Sequence, residues 1–183
     1  NDGTFETPGA STSFDASALG GPGSQTVSLR VTDDDGATGF DSVTIAVNNV
    51  APTATAGGPY SVGEGSTVAL FGTATDPGAP DILTFEWDLD NNGTFETLGE
   101  SASFDASALD GPTTATVSLR VTDDDGADSV DSVVITITNV APISNSGGPY
   151  TAGEGSIISL SGSATDSGSS DTHTFEWDLD NDG

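Results

Sequence analysis

Two kinds of carboxylate cluster in this sequence have the spacing to gather a cation. Asp88, Asp90, Asn92 and Gly93 follow the D-x-D-x-[DN]-G order of calcium loops, and Asp178, Asp180, Asp182 and Gly183 follow it with a full set of acids. A hard cation collects oxygen ligands, and the glycine allows the sharp turn that brings them round it. On a strand, alternate side chains stand on one face about 7 Å apart, so Asp88 and Asp90 come together while Trp87 and Leu89 turn inward. This is no EF-hand: position twelve is Gly99, where a bidentate Glu belongs, and the flanks read as strands. A polar strand end running into an Asn-Gly turn accounts for the same residues. The second kind is Asp123-Asp124-Asp125-Gly126 with its copy Asp33-Asp34-Asp35-Gly36. Asp-Gly between alternating strands is a common hairpin turn. One Asp suffices for that turn, however, and three adjacent carboxylates repel one another unless a cation sits among them.

The composition narrows the chemistry further. The chain carries 29 acids against 2 basic residues, a net charge of -27. Such a surface offers no counter-charge to nucleic acid or anionic membrane, so neither is an expected partner, and no apolar run is long enough for membrane insertion. Cations are the natural ligands. There is no cysteine, no lysine and a single histidine, His173. Nucleophile–base triads and zinc sites therefore lack their parts, and the expectation is a protein that is not an enzyme. Strong acidity can signal disorder, but Val, Ile, Leu and Phe recur here at regular spacing, as a folded chain requires. The sequence starts at Asn1 with no signal-like segment, which reads as an interior piece of a longer chain.

Self-similarity organises everything else. Val31-Thr32-Asp33-Asp34-Asp35-Gly36 returns at Val121–Gly126, Asn49-Val50-Ala51-Pro52 at Asn139–Pro142, Gly57-Gly58-Pro59-Tyr60 at Gly147–Tyr150, and Phe85-Glu86-Trp87-Asp88-Leu89-Asp90 at Phe175–Asp180. Every offset is 90 residues, without a gap. A period of this length is a whole domain and not a solenoid turn. Within it the segments alternate with a period of two. Val117, Leu119 and Val121 face one way and Ser118, Arg120 and Thr122 the other; Phe85, Trp87 and Leu89 alternate with Glu86, Asp88 and Asp90. About seven short half-buried strands per repeat around one buried Trp is the pattern of an all-β, immunoglobulin-like sandwich.

The residues resemble the PKD (polycystic kidney disease) domain family. The resemblance rests on Gly57-Gly58-Pro59-Tyr60, Gly63-Glu64-Gly65, Ala74-Thr75-Asp76, Trp87-Asp88-Leu89-Asp90-Asn91-Asn92-Gly93 and Val121-Thr122-Asp123-Asp124-Asp125-Gly126, and it runs through the whole chain. The family usually reads W-D-F-G-D-G after its Trp; here Leu89 and Asp90 replace the Phe and Gly, which adds a carboxylate. The resemblance implies a PKD-type sandwich in tandem, an extracellular, secreted or cell-surface location, and roles in adhesion, surface layers or as accessory modules of secreted enzymes.

Proline after Asn-Val-Ala marks the boundaries, because it lacks an N–H and holds the preceding residue extended. Residues 50–139 are expected to be one complete repeat, residues 1–49 the C-terminal half of the repeat before it, and residues 140–183 the N-terminal half of the next. The loops of a sandwich gather at two poles. Glu64, with its copy Glu154, the loop Asp88–Asn92 and the loop near Asp110 should lie at the C-terminal pole. Asp76, Asp81 and the Asp123–Asp125 turn should lie at the N-terminal pole. End-to-end stacking then sets acids against acids, and calcium would turn a repelled joint into a stiff one. The expected function is a structural segment of an extracellular fibre, stalk or filament, self-associating head to tail or by lateral bundling. The alternative is an adhesin or substrate-binding accessory module that grips a glycan or protein surface; it needs an exposed aromatic row, for which Tyr60, Tyr150, Phe40 and Phe71 are the candidates.

Overall fold

The computed structural model describes residues 4–78, 81–168 and 170–180. Among the described residues thirteen strands form, in chain order: β1 (Gly23–Thr32), β2 (Thr38–Val47), β3 (Thr53–Thr55), β4 (Tyr60–Gly63), β5 (Thr67–Phe71), β6 (Thr73–Thr75), β7 (Thr84–Asp88), β8 (Thr97–Leu98), β9 (Ser101–Asp105), β10 (Thr113–Thr122), β11 (Asp128–Thr138), β12 (Ile143–Asn145) and β13 (Ser163–Thr165). There is no helix among the described residues, and so none long and apolar enough to cross a membrane.

Strands β3 to β11 build a sandwich. One layer is a five-stranded sheet ordered β4-β11-β10-β7-β8; the facing layer consists of the pairs β3-β6 and β5-β9. All its pairings are antiparallel except that of β4 with β11, where Ile135 stands beside Tyr60. The alternation read from the sequence sets the packing. Leu119 lies beside Trp87 in the sheet, and Trp87, Leu119, Val117, Val121, Ile135, Ile137 and Leu70 are fully buried between the layers. Closing this core removes apolar surface from water, the main favourable term in folding.

Nine strands appear where about seven were expected, because two strand lines are interrupted. The first strand line is split into β3 and β4 by Gly57-Gly58-Pro59, and the second into β5 and β6 by Gly72. A Cβ at Gly72 would collide with Leu119 Cδ2 and stand 3.2 Å from the Trp87 ring. The strand breaks where the indole needs the room. Tyr60 then ties the split ends together: its hydroxyl donates to Ala56 O (3.1 Å) and accepts from Phe71 N (2.9 Å). Tyr150 repeats this with Ser146 O and Ser161 N. Both tyrosine hydroxyls serve as braces; of the expected aromatic row Phe40, Phe71 and the Tyr150 ring are exposed and Tyr60 is half-buried.

The flanking segments follow the same plan. Hairpin β1–β2 pairs Leu29 with Asp41 just as β10–β11 pairs Leu119 with Asp131. Its inward positions are open, with Leu29 54% and Val31 60% exposed where Leu119 and Val121 are at 0%. The pairing of β12 with β13 repeats that of β3 with β6.

Candidate metal centre

The two poles of the sandwich are fixed by carboxylates that grip the chain. At one end Asn49 Nδ2, just before the linker proline, donates to Asp123 Oδ2 at 2.8 Å. Asp123 Oδ1 also accepts from Ala127 N (2.8 Å) and Asp125 N (3.1 Å), so this buried carboxylate organises the hairpin turn and holds the entering linker. These bonds, led by the one from Asn49, hold its pKa below the ordinary value. At the other end Glu64 is fully buried. Its Oε1 accepts from Val140 N (2.6 Å), the first amide of the next linker, and its Oε2 from Gly111 N (2.5 Å). Burying a charge is costly unless hydrogen bonds receive it, and both of these do.

The carboxylates of Glu64, Asp166 and Asp171 come within 4.8 Å of one another. Glu64 precedes the linker at Val140-Ala141-Pro142, and the two aspartates follow it, so this cluster spans the junction. Asp110 joins it: a Cβ built on Gly168 would stand 2.5 Å from Asp171 Oδ2 and 2.7 Å from Asp110 Oδ1. Asp110 Oδ1 is buried without a hydrogen-bond partner among the described residues. The pKa of Asp171 is raised, first by burial and then by the charges of Asp110, Glu64 and Asp166. Asp166 is held low, chiefly by the amide of Gly168, with His173 Nε2 3.6 Å from its Oδ2. Four acids in so small a space repel one another, and a hard cation is the partner that oxygen donors of this kind accept.

A second group, Asp81, Asp124 and Asp125, meets the same distance limit at the N-terminal pole. Asp81 there closes over Gly78 as Asp171 closes over Gly168. The Oδ2 atoms of Asp76 and Asp81 are buried without a hydrogen-bond partner among the described residues. The pKa of Asp81 is raised by burial first, then by Asp76, Asp124 and Asp125.

The third group is Asp88, Asp90 and Glu96. Asp88 is buried, and its two oxygens accept from Asn92 N (3.1 Å) and Gly93 N (2.8 Å). Asp90 Oδ2 accepts from Asn92 Nδ2 at 2.9 Å. The residues with calcium-loop spacing therefore also organise the Asn-Gly turn. Other expected ligands stay apart. Glu154 is exposed, and Asp33, Asp34 and Asp35 are exposed in a turn where Asp33 Oδ1 accepts from Ala37 N. Asp178 and Asp180 are exposed, and Asp182 lies outside the described residues. Sequence reasoning passed over Asp166, Asp171 and Glu96 as ligands. The signal for the first two was present, since they repeat Asp76 and Asp81.

The junction is also a direct contact. Gly65, at φ +75°, lies against the next segment so closely that a Cβ there would stand 2.6 Å from Ser167 Cβ and 3.3 Å from its carbonyl oxygen. Gly65→Val is expected to open the junction without disturbing the Trp87 core. Hydrogen exchange at the Val140 amide should speed up while the core amides of β10 keep their protection.

Solved structures to which the chain is similar in part include the PKD1 domain of Vibrio anguillarum Epp, 26% identical over 51% of this chain and 100% of that one, TM-score 0.39. Human CDH23 EC21-23 is 20% identical over 80% of this chain and 55% of that one, TM-score 0.41. A nucleoside hydrolase-related hypothetical protein from Saccharophagus degradans, associated with carbohydrate metabolism, is 19% identical over 50% of this chain, TM-score 0.41; the match spans 26% of its length. A search of curated proteins gives no match. The family model for the PKD domain matches residues 49–137, the segment that holds the nine-stranded sandwich and the Trp87 core. Residues 49–137 of this chain are a PKD domain.

Proposed function

We propose that this chain is a structural, non-catalytic segment of an extracellular fibre, stalk or filament in which calcium, bound between consecutive PKD-type units, stiffens the junctions. One observation carries the reading: Glu64 on one side of the linker and Asp166 and Asp171 on the other bring their carboxylates within 4.8 Å. Uncompensated, that contact pushes the two sides apart. A divalent cation among them converts repulsion into a bridge, and the linker is already held by Glu64 through the Val140 amide. Extracellular modules bind calcium at about 0.1–1 mM, a concentration available outside cells. The -27 charge supports the same setting, because it keeps long arrays apart and soluble until cations intervene. Head-to-tail continuation of the units and lateral bundling both follow from charge that calcium can screen or bridge.

A calcium titration against chelator tests this. Thermal melting should shift upward and small-angle scattering should report a longer, more rigid particle as calcium rises through about 0.1–1 mM. Identical melting and identical dimensions in calcium and in chelator would end the proposal.

A further inference from the structure

We infer that Asn92 is a self-modification site: the turn 88–94 is built to convert its amide to a carboxylate through a succinimide. Asn92 is followed by Gly93, at φ +89° with open space where a Cβ would be, so no side chain at position 93 crowds ring closure onto its nitrogen. The surrounding groups meet the needs of the reaction. The nucleophile is Gly93 N, and its hydrogen is held by Asp88 Oδ2 at 2.8 Å, within reach of a general base. The electrophile is Asn92 Cγ. Its oxygen accepts from Thr94 N at 2.7 Å, a donor placed to stabilise the negative charge that builds on that oxygen during attack. The leaving nitrogen, Asn92 Nδ2, lies 2.9 Å from Asp90 Oδ2 and 3.4 Å from Glu96 Oε1.

The balance is closed within the chain and water. The Gly93 N–Cγ bond forms and the Cγ–Nδ2 bond breaks. The proton leaving Gly93 N is taken up by Asp88, and the departing nitrogen, beside Asp90 and Glu96, takes a proton from water and is released as ammonia. Water then opens the ring to aspartate, or to isoaspartate if the other carbonyl is attacked. No oxidant or cofactor takes part. The fold holds the base and the oxygen's donor beside the reacting groups, an arrangement that a flexible peptide has to find by chance. The product gains a negative charge at the third alternating position after Trp87, where the sequence already has Asp at 2 and 182. The cluster of Asp88, Asp90 and Glu96 acquires a fourth carboxylate in this way.

Asn145 is the internal control. Its Oδ1 also accepts a hydrogen bond from the amide two residues on, Gly147 N at 2.8 Å, but Ser146 and not Gly follows it. The test is to incubate the chain folded in neutral buffer and unfolded in guanidinium, then map peptides by mass spectrometry for the exchange of NH for O. Asn92 is expected to convert several-fold faster in the folded chain than in the unfolded one, with Asn145 nearly unchanged. A slower reaction in the folded chain, or an Asn145 rate equal to that of Asn92, would overturn the inference. Removing the Thr94 N–H by Thr94→Pro, in an exposed loop, should slow the folded-state reaction several-fold; an unaltered rate would equally count against it.

Discussion

Asp171→Asn should strengthen the junction when calcium is chelated and weaken it when calcium is present. The reversal follows from what holds the carboxylate. Its pKa is raised by burial and by three neighbouring acids, so its charged form is the unfavourable one in the folded junction. A raised acid costs the folded state nothing at pH below its unfolded value near 3.8, and the cost grows as pH climbs through the folded value. In chelator, acidification toward that value should therefore tighten the junction of the unaltered chain, and the neutral amide should do the same at pH 7. On the proposed calcium reading the sign inverts, because a cation needs the charge that the junction otherwise resists. The Asp171→Asn side chain would offer one neutral oxygen in place of a charged carboxylate, and apparent affinity should fall by roughly tenfold or more, since ligand charge sets affinity at such sites. The readouts are the melting temperature with and without calcium and the calcium midpoint. A variant that is weaker in both conditions would make Asp171 a folding residue only.

Much of this junction could be read from residue types, up to a physical limit. The alternation of Phe85-Glu86-Trp87 and of Val117-Ser118-Leu119 set the strands and their inward faces, because period two leaves a strand no other way to bury one side. The poles followed from strand polarity. Spacing alone did not reveal which acids meet. Asp88, Asp90 and Asn92 follow a calcium-loop spacing, and Asp88 and Asp90 do meet, but with Glu96, which that spacing does not include, while Asp88 also accepts from the amides of its own turn. Glu64, Asp166 and Asp171 have no local pattern at all, since they are brought together by the path of the linker across a domain boundary. Local patterns report local geometry, and a junction site is non-local by construction. The 90-residue period was the bridge, because a residue placed at a pole in one unit marks the same pole in the next. The split at Gly72 was illegible for a related reason: the clash that requires glycine comes from Leu119 and Trp87, distant in sequence.

The same substitution at the two tryptophans should have very different costs. Trp87 has no exposed surface, packs beside Leu119 and donates its Nε1–H to Gly99 O at 3.1 Å. Trp87→Ala removes the largest buried side chain, leaves a cavity under Gly72 and gives up the hydrogen bond to Gly99 O, at a cost of about 3–5 kcal/mol. A single domain has a total of about 5–15 kcal/mol, so the PKD unit would sit close to unfolding at room temperature. Trp177 occupies the equivalent place one period on, but it is 44% exposed. Trp177→Ala is therefore expected to change the stability of the chain by less than about 1 kcal/mol. Denaturant melts of the two variants, each against the unaltered chain, make the comparison. Equal losses would mean that the segment 140–180 buries its tryptophan as fully as the PKD unit does. A small loss at Trp87 would mean that the indole is not the centre of the core, and the case for Gly72 as the residue that makes room for it would go too.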